Sequence, residues 1–217
     1  MTDNKLYDNY LIVIFNIKYY KKMEFKWLNE STIEKSENKI IIMAPGKTDF
    51  FRGIEEKSEE GFLPNSLSNA PFYYTEIEGN FVIKAKVSHE FKDVYDSASL
   101  MIMQNLECWA KACYEYTDFG THAVVSVVTN GFSDDANGCN LEGKTAWLQM
   151  CRVGNNFAIH YSTDGEKFYM VRFFTLPASP IMKVGLLAQC PLGSGGKRIY
   201  ENLTIKKKTV KNIRAGK

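Results

Sequence analysis

The segment Trp109-Ala-Lys-Ala-Cys-Tyr-Glu-Tyr116 puts two opposite charges and an indole where a polar ligand can be held. Read as a strand, it sends Trp109, Lys111, Cys113 and Glu115 to one face and Ala110, Ala112, Tyr114 and Tyr116 to the other. An ammonium and a carboxyl beside a tryptophan can fix hydroxyl or carboxylate groups by charge-assisted hydrogen bonds. They cannot serve each other, because four residues along a strand span about 13 Å. Each therefore needs a cross-strand neighbour, a ligand or water.

Other chemistries find weaker footholds. Ser133-Asp-Asp-Ala-Asn-Gly138 resembles a calcium loop, but with Gly138 at the sixth position the twelfth falls on Lys144, not on a bidentate glutamate. It reads as a polar turn. His89, His122 and His160 are far apart in the chain, with no ligand at i+2 or i+4, so no metal site is expected. Gly193-Ser-Gly-Gly196 lacks Walker spacing and reads as a flexible hairpin. The five cysteines form no CxxC pair and read as reduced, mostly buried thiols, which suits a cytoplasmic protein. No cofactor motif is found.

The elements that must position these residues are strands. Alternation marks Phe25–Leu28, Lys39–Ala44, Phe72–Ile77, Asn80–Ser88, Ala98–Gln104, Cys108–Tyr116, His122–Thr129, Thr145–Val153, Phe157–Ser162, Lys167–Thr175, Lys183–Gln189 and Arg198–Lys206. Residues 54–68 break the pattern and read as a surface loop or short helical excursion. The spacing predicts an all-β fold, a two-sheet antiparallel β-sandwich of jelly-roll type. In that sandwich Trp109, Lys111 and Glu115 turn outward, since burying both charges unpartnered costs too much. The same logic turns Ser126, Trp147, Gln149 and His160 outward, and Val125, Val127, Leu148, Met150, Ile159 and Tyr161 inward.

With 217 residues and 45% hydrophobic content, the chain can fill one large core. Residues 1–22 read as an extension outside the domain. Its apolar run Leu11–Phe15 is too short for a membrane span. Residues 23–207 read as one jelly-roll domain, and residues 208–217 as a basic, solvated tail. The 27 basic and 25 acidic residues leave a net charge of +2 without a basic stripe, which argues against nucleic-acid binding.

Thr48-Asp-Phe-Phe51, Ala70-Pro71, Gly79-Asn-Phe81 and Tyr95-Asp96 are successive landmarks that continue through Trp109-Ala-Lys111 and Glu115 to Val127-Val-Thr129, Ser133-Asp134 and Ser162-Thr-Asp-Gly165. In this order they resemble the family named after a yeast regulator of enolase, a domain of unknown function. The resemblance covers residues 24–206 and implies a fold of the concanavalin A-like lectin and glucanase type, with a concave sheet face able to take a sugar. Two aromatic landmarks are missing: Phe51 and Asp135 stand where that family has tryptophan. The expected function is non-catalytic binding of a carbohydrate or other polar metabolite by Trp109, Lys111, Glu115, Ser126, Trp147, Gln149 and His160, with Asp96 and Asp134 at strand ends. One alternative is a regulatory partner of a metabolic, glycolytic enzyme. Another is a glycoside hydrolase pairing Glu115 with Asp96 or Asp134. The glucanase pattern E-x-D-x-x-E is absent, and hydrolysis needs carboxyls about 5 Å or about 6.5–9.5 Å apart.

Overall fold

The computed structural model describes residues 23–53 and 66–217. Among these, two antiparallel seven-stranded sheets face each other, and no helix occurs. The first sheet runs β1 (Lys26–Leu28), β6 (Phe72–Glu78), β15 (Ile181–Gln189), β8 (Ser97–Asn105), β9 (Cys108–Tyr116), β10 (His122–Asn130) and β11 (Phe132–Asn140). The second runs β14 (Tyr169–Thr175), β13 (Asn156–Ser162), β12 (Thr145–Val153), β7 (Phe81–Ser88), β16 (Gly195–Lys206), β3 (Lys39–Pro45) and β2 (Ile33–Lys35). A separate pair, β4 (Phe50–Phe51) and β5 (Leu67–Ser68), completes the set. The predicted β-sandwich is present. Most of the excursion expected over residues 54–68 and the extension expected over 1–22 lie outside the described residues.

Alternation builds the core between the sheets. Leu100, Ile102, Ala110, Ala112, Tyr114, Val124 and Val128 from the first sheet meet Ile83, Ala85, Leu148, Met150 and Ile159 from the second. Leu148, Met150, Ile159 and Tyr161 thus face inward as expected. On β10 the alternation has the opposite phase. Ser126 stands opposite Ala112 in the core-facing row and is fully buried, while Val125 and Val127 stand opposite Cys113 and Lys111 on the outer face. The run Ala-Val-Val-Ser-Val-Val has apolar residues in both phases, so sequence alone does not fix its facing. Ser126 is therefore a core residue, its hydroxyl directed to the Ala136 carbonyl at 3.4 Å.

The polar turn expected at residues 133–138 is instead part of edge strand β11, paired with β10 through a register shift at Val124/Val125. Its side chains are mostly exposed, which removes the hydrophobic alternation that marks a half-buried strand. Gly193–Gly196 does not close a hairpin, since β15 and β16 belong to different sheets and this segment crosses between them. Gly195 (φ +105°) passes close to Ala44, whose carbonyl oxygen would lie 2.5 Å from an added Cβ.

The basic side chains of the C-terminal segment are exposed, while its backbone lies against the second sheet. Val210 is buried in a cluster with Val82 and Cys151, and Thr209 accepts a hydrogen bond from Asn80 at 2.9 Å. The last turn then rests on β12 and β13. Gln149 Nε2 donates to the Gly216 carbonyl at 3.2 Å, and the Arg214 carbonyl lies 3.1 Å from His160 Nε2. Gly216 has φ +70°, and a Cβ there would lie 2.5 Å from Gln149 Nε2. Gly216→Ala is expected to lift this turn, so that brief trypsin treatment cuts after Lys211 or Arg214 several-fold faster than in the wild type. Equal rates would show that the turn is not held by this fit.

Candidate functional site

The outer face of the first sheet carries the charged strand. The pairing register lays out its rows: Gln189, Ser97, Glu115 and Ala123; then Leu187, Ser99, Cys113 and Val125; then Gly185, Met101, Lys111, Val127 and Asp135. The next row brings Met103, Trp109 and Thr129 together. One end of this face is thus apolar and the other polar.

The apolar end is covered. Phe50 meets Trp109 edge-on, with ring centroids 6.0 Å apart, in a cluster with Phe72, Met101, Met103, Val127 and Leu187. Trp109 is only 1% exposed, so it is not the open sugar platform that the sequence suggested. The covering segment is tied to the β10–β11 hairpin, where Arg52 Nε donates to the Gly131 carbonyl at 2.8 Å and Ser133 N donates to the Arg52 carbonyl at 2.8 Å.

This segment also delivers Asp49, which sequence reasoning left out of the site. Lys111 Nζ donates to Asp49 Oδ1 at 2.8 Å and to Gln189 Oε1 at 2.9 Å. Burial works against the ammonium, but the Asp49 carboxylate outweighs it and holds Lys111 above the ordinary lysine value. The expected outward, solvated lysine is buried after all, and the two partners make that tolerable.

Behind Lys111 lies a second buried pair. Arg198 Nη2 donates to Asp96 Oδ1 at 2.7 Å, with both side chains at most 2% exposed. The same guanidinium donates through Nε and Nη2 to the Gln189 carbonyl, at 3.0 and 2.7 Å. The Gln189 side chain in turn donates to the Tyr95 carbonyl at 3.3 Å and accepts from Lys111. Tyr95 itself has φ +66°, an unfavourable backbone for a bulky residue, and is pinned by Tyr95 N donating to the Tyr116 carbonyl at 2.7 Å. Asp96 is therefore a positioning residue that holds the frame around Lys111, and its carboxylate is not presented to a ligand.

Glu115 is the unusual group. It is 7% exposed, and its carboxyl makes no hydrogen bond or ion pair to another described residue. Burial pushes it well above the usual carboxylate range; Lys111 opposes this, and Asp135, Asp49 and Asp118 add to it. Asp135 is solvent-accessible on the edge strand, yet crowding by surrounding protein raises its carboxyl too, against the pull of Lys111. Cys113, between Lys111 and Glu115, is fully buried and its thiol is pushed up to about 12, chiefly by burial, so it stays protonated.

A raised carboxyl destabilises the native state once it must ionise, so stability falls as pH rises above the ordinary glutamate value. Glu115→Gln is accordingly expected to raise unfolding free energy at pH 7.5 by about 1–3 kcal/mol. Urea denaturation at pH 4.5 and 7.5 checks this: the gain should shrink at the lower pH. A loss of stability at pH 7.5 would show that the carboxylate is satisfied in the fold.

The remaining predicted residues do not join this cluster. Asp134 points to the other side of β11 from Asp135 and pairs with Arg172 Nη2 at 2.9 Å, bridging the open edges of the two sheets. The two acids suggested as hydrolytic partners of Glu115 are thus both committed to arginines. Trp147, Gln149 and His160 lie on the outer face of the second sheet, on the far side of the sandwich. There Lys84 sits 5.2 Å from the Trp147 ring centroid, and the C-terminal turn covers Gln149 and His160. Burial holds His160 below the ordinary histidine value. The expected nine-residue site is therefore divided between two opposite faces and the core.

Residues 27–208 match the protein family described as "Protein of unknown function (DUF1349)". "Regulation of enolase protein 1" from Saccharomyces cerevisiae is 27% identical over 181 residues, covering 82% of this chain and 87% of that protein. The crystal structure of a functionally unknown protein from Saccharomyces cerevisiae superposes with a TM-score of 0.74 at 25% identity, over 86% of this chain and 97% of the other. A carbohydrate binding module from Bacillus subtilis shares the fold, with a TM-score of 0.55 at 12% identity over 86% of this chain and 98% of the module.

Proposed function

The chain belongs to the DUF1349 family, whose function is unassigned, and on that premise we propose that it is a non-catalytic binding protein for a hydroxyl-rich ligand, a carbohydrate or similar polar metabolite. The observation that carries the reading is Glu115, a carboxyl 7% exposed beside the Lys111–Asp49–Gln189 cluster, with no hydrogen-bond partner among the described residues. A fold gains nothing from such a group. A ligand hydroxyl would complete it by donating to the carboxyl. The likeness to a carbohydrate binding module agrees with this reading at the level of fold. The five unpaired cysteines suit the reducing cytoplasm, which is the location we propose.

A thermal-shift screen of unphosphorylated sugars and polyols tests it. A compound that raises the midpoint of the wild type and leaves Glu115→Gln unmoved is expected. Equal shifts in both proteins, or none across the screen, would remove the reading. A second reading, a regulatory partner of a metabolic enzyme, is supported only by the name of the yeast relative. Co-elution with purified enolase at a fixed stoichiometry would favour it, and independent elution would not.

A further inference from the structure

The charges around Glu115 do not balance, and the imbalance bears on which ligand the site can take. Asp49, Glu115 and Asp135 supply three carboxyls to this face, against the single ammonium of Lys111. That ammonium is already spent on Asp49 Oδ1 and Gln189 Oε1. The nearby guanidiniums are committed elsewhere: Arg172 to Asp134, Arg52 to Glu107 at 3.3 Å and the Gly131 carbonyl, Arg198 to Asp96. Tyr95 Oη donates to Asp118 Oδ2 at 3.3 Å, so the end of the face beside Glu115 adds another acid rather than a base.

A phosphate or carboxylate entering here would find no free cation to receive it and would make ionisation of Glu115 and Asp135 harder still. An ammonium would do the reverse, giving Glu115 a charge-assisted partner and easing its repulsion with Asp135. Resting on the binding reading above, we infer that the site on the outer face of β9 takes a hydroxyl-rich ligand bearing a protonated amine, an amino sugar or amino polyol, and rejects phosphorylated sugars. Glu115 receives the amine. Asp135, exposed on the edge strand, adds attraction at the edge of the face.

Calorimetric titration with matched sets separates the outcomes. Glucose, galactose and mannose would each be tested as the neutral hexose, the 2-amino-2-deoxy hexose and the hexose 6-phosphate. Within at least one set the amine is expected to bind at least tenfold more tightly than the neutral sugar, with no detectable binding of the phosphate. Asp135→Asn, a change at an accessible edge position that should not threaten folding, is expected to cut the ratio of amine to neutral-sugar affinity several-fold. Neutral or phosphorylated sugars binding as tightly as the amine would overturn this inference and leave the binding reading standing. Failure of all nine compounds to bind would overturn both.

Discussion

Lys111→Met should lower the unfolding free energy by about 3 kcal/mol, the lower end of the cost of breaking a buried ion pair. The side chains of Lys111 and Asp49 are 3% and 15% exposed, so removing the ammonium strands a carboxylate that water reaches only in part. It also removes the cation that offsets Glu115 and Asp135. The damage should fall on the Thr48–Phe51 segment, which Asp49 ties to β9 and which covers Trp109. Urea denaturation at pH 7 gives the magnitude, and Trp109 fluorescence should shift to the red as Phe50 loosens. The double variant Asp49→Asn/Lys111→Met should recover part of the loss, because no carboxylate is left unpaired. The folded lysine is held above its ordinary value, so its contribution is complete below about pH 10 and fades as pH rises through the folded value. A variant as stable as the wild type would mean that Asp49 and Lys111 are not coupled.

A larger loss, about 3–5 kcal/mol, is expected for Asp96→Ala. Here both partners are essentially inaccessible, and the Arg198 guanidinium would remain between the sheets without its counter-charge. Asp96 also accepts the Asp93 N–H at 3.2 Å, and its own carbonyl accepts from Tyr116 at 3.1 Å, so the turn carrying Tyr95 depends on it. Asp96→Asn keeps the acceptor and should cost markedly less. Because Arg198 holds the backbone of Gln189, the alanine variant should also weaken ligand binding without removing any group that touches ligand. Loss of binding with unchanged stability would contradict this placement and return Asp96 to the ligand-contacting set.

The fold was readable because strand alternation is a local signal. It located every strand of the two sheets except the edge strands β2 and β11, and the facing of Leu148, Met150 and Ile159. It missed β11, where Ser133-Asp-Asp-Ala-Asn-Gly138 has no buried face to pattern, and it misassigned Ser126, where valines fill both phases. The site was less readable for a different reason. Alternation reports which face of its own strand a residue takes, and says nothing of which sheet that strand joins. Trp147, Gln149 and His160 were placed outward correctly and still fall on the opposite side of the molecule from Lys111 and Glu115. Nor can local pattern show what lies on top of a face. Asp49 sits 62 positions before Lys111, and only the folded chain brings them together. The one hint in sequence was that Thr48-Asp-Phe-Phe51 ranks among the family landmarks, while the arithmetic requiring Lys111 to find a cross-strand or outside partner pointed to the need for such a group.

The central claim is that ligand engages the outer face of the first sheet around Glu115, and backbone amide chemical-shift mapping during titration with an amino sugar tests it most directly. The largest perturbations are expected on Ser97, Ser99, Cys113, Glu115 and Gln189, with Trp147, Gln149, His160 and Gly216 staying still. Perturbations concentrated on that second group would place the site on the opposite sheet and contradict the account.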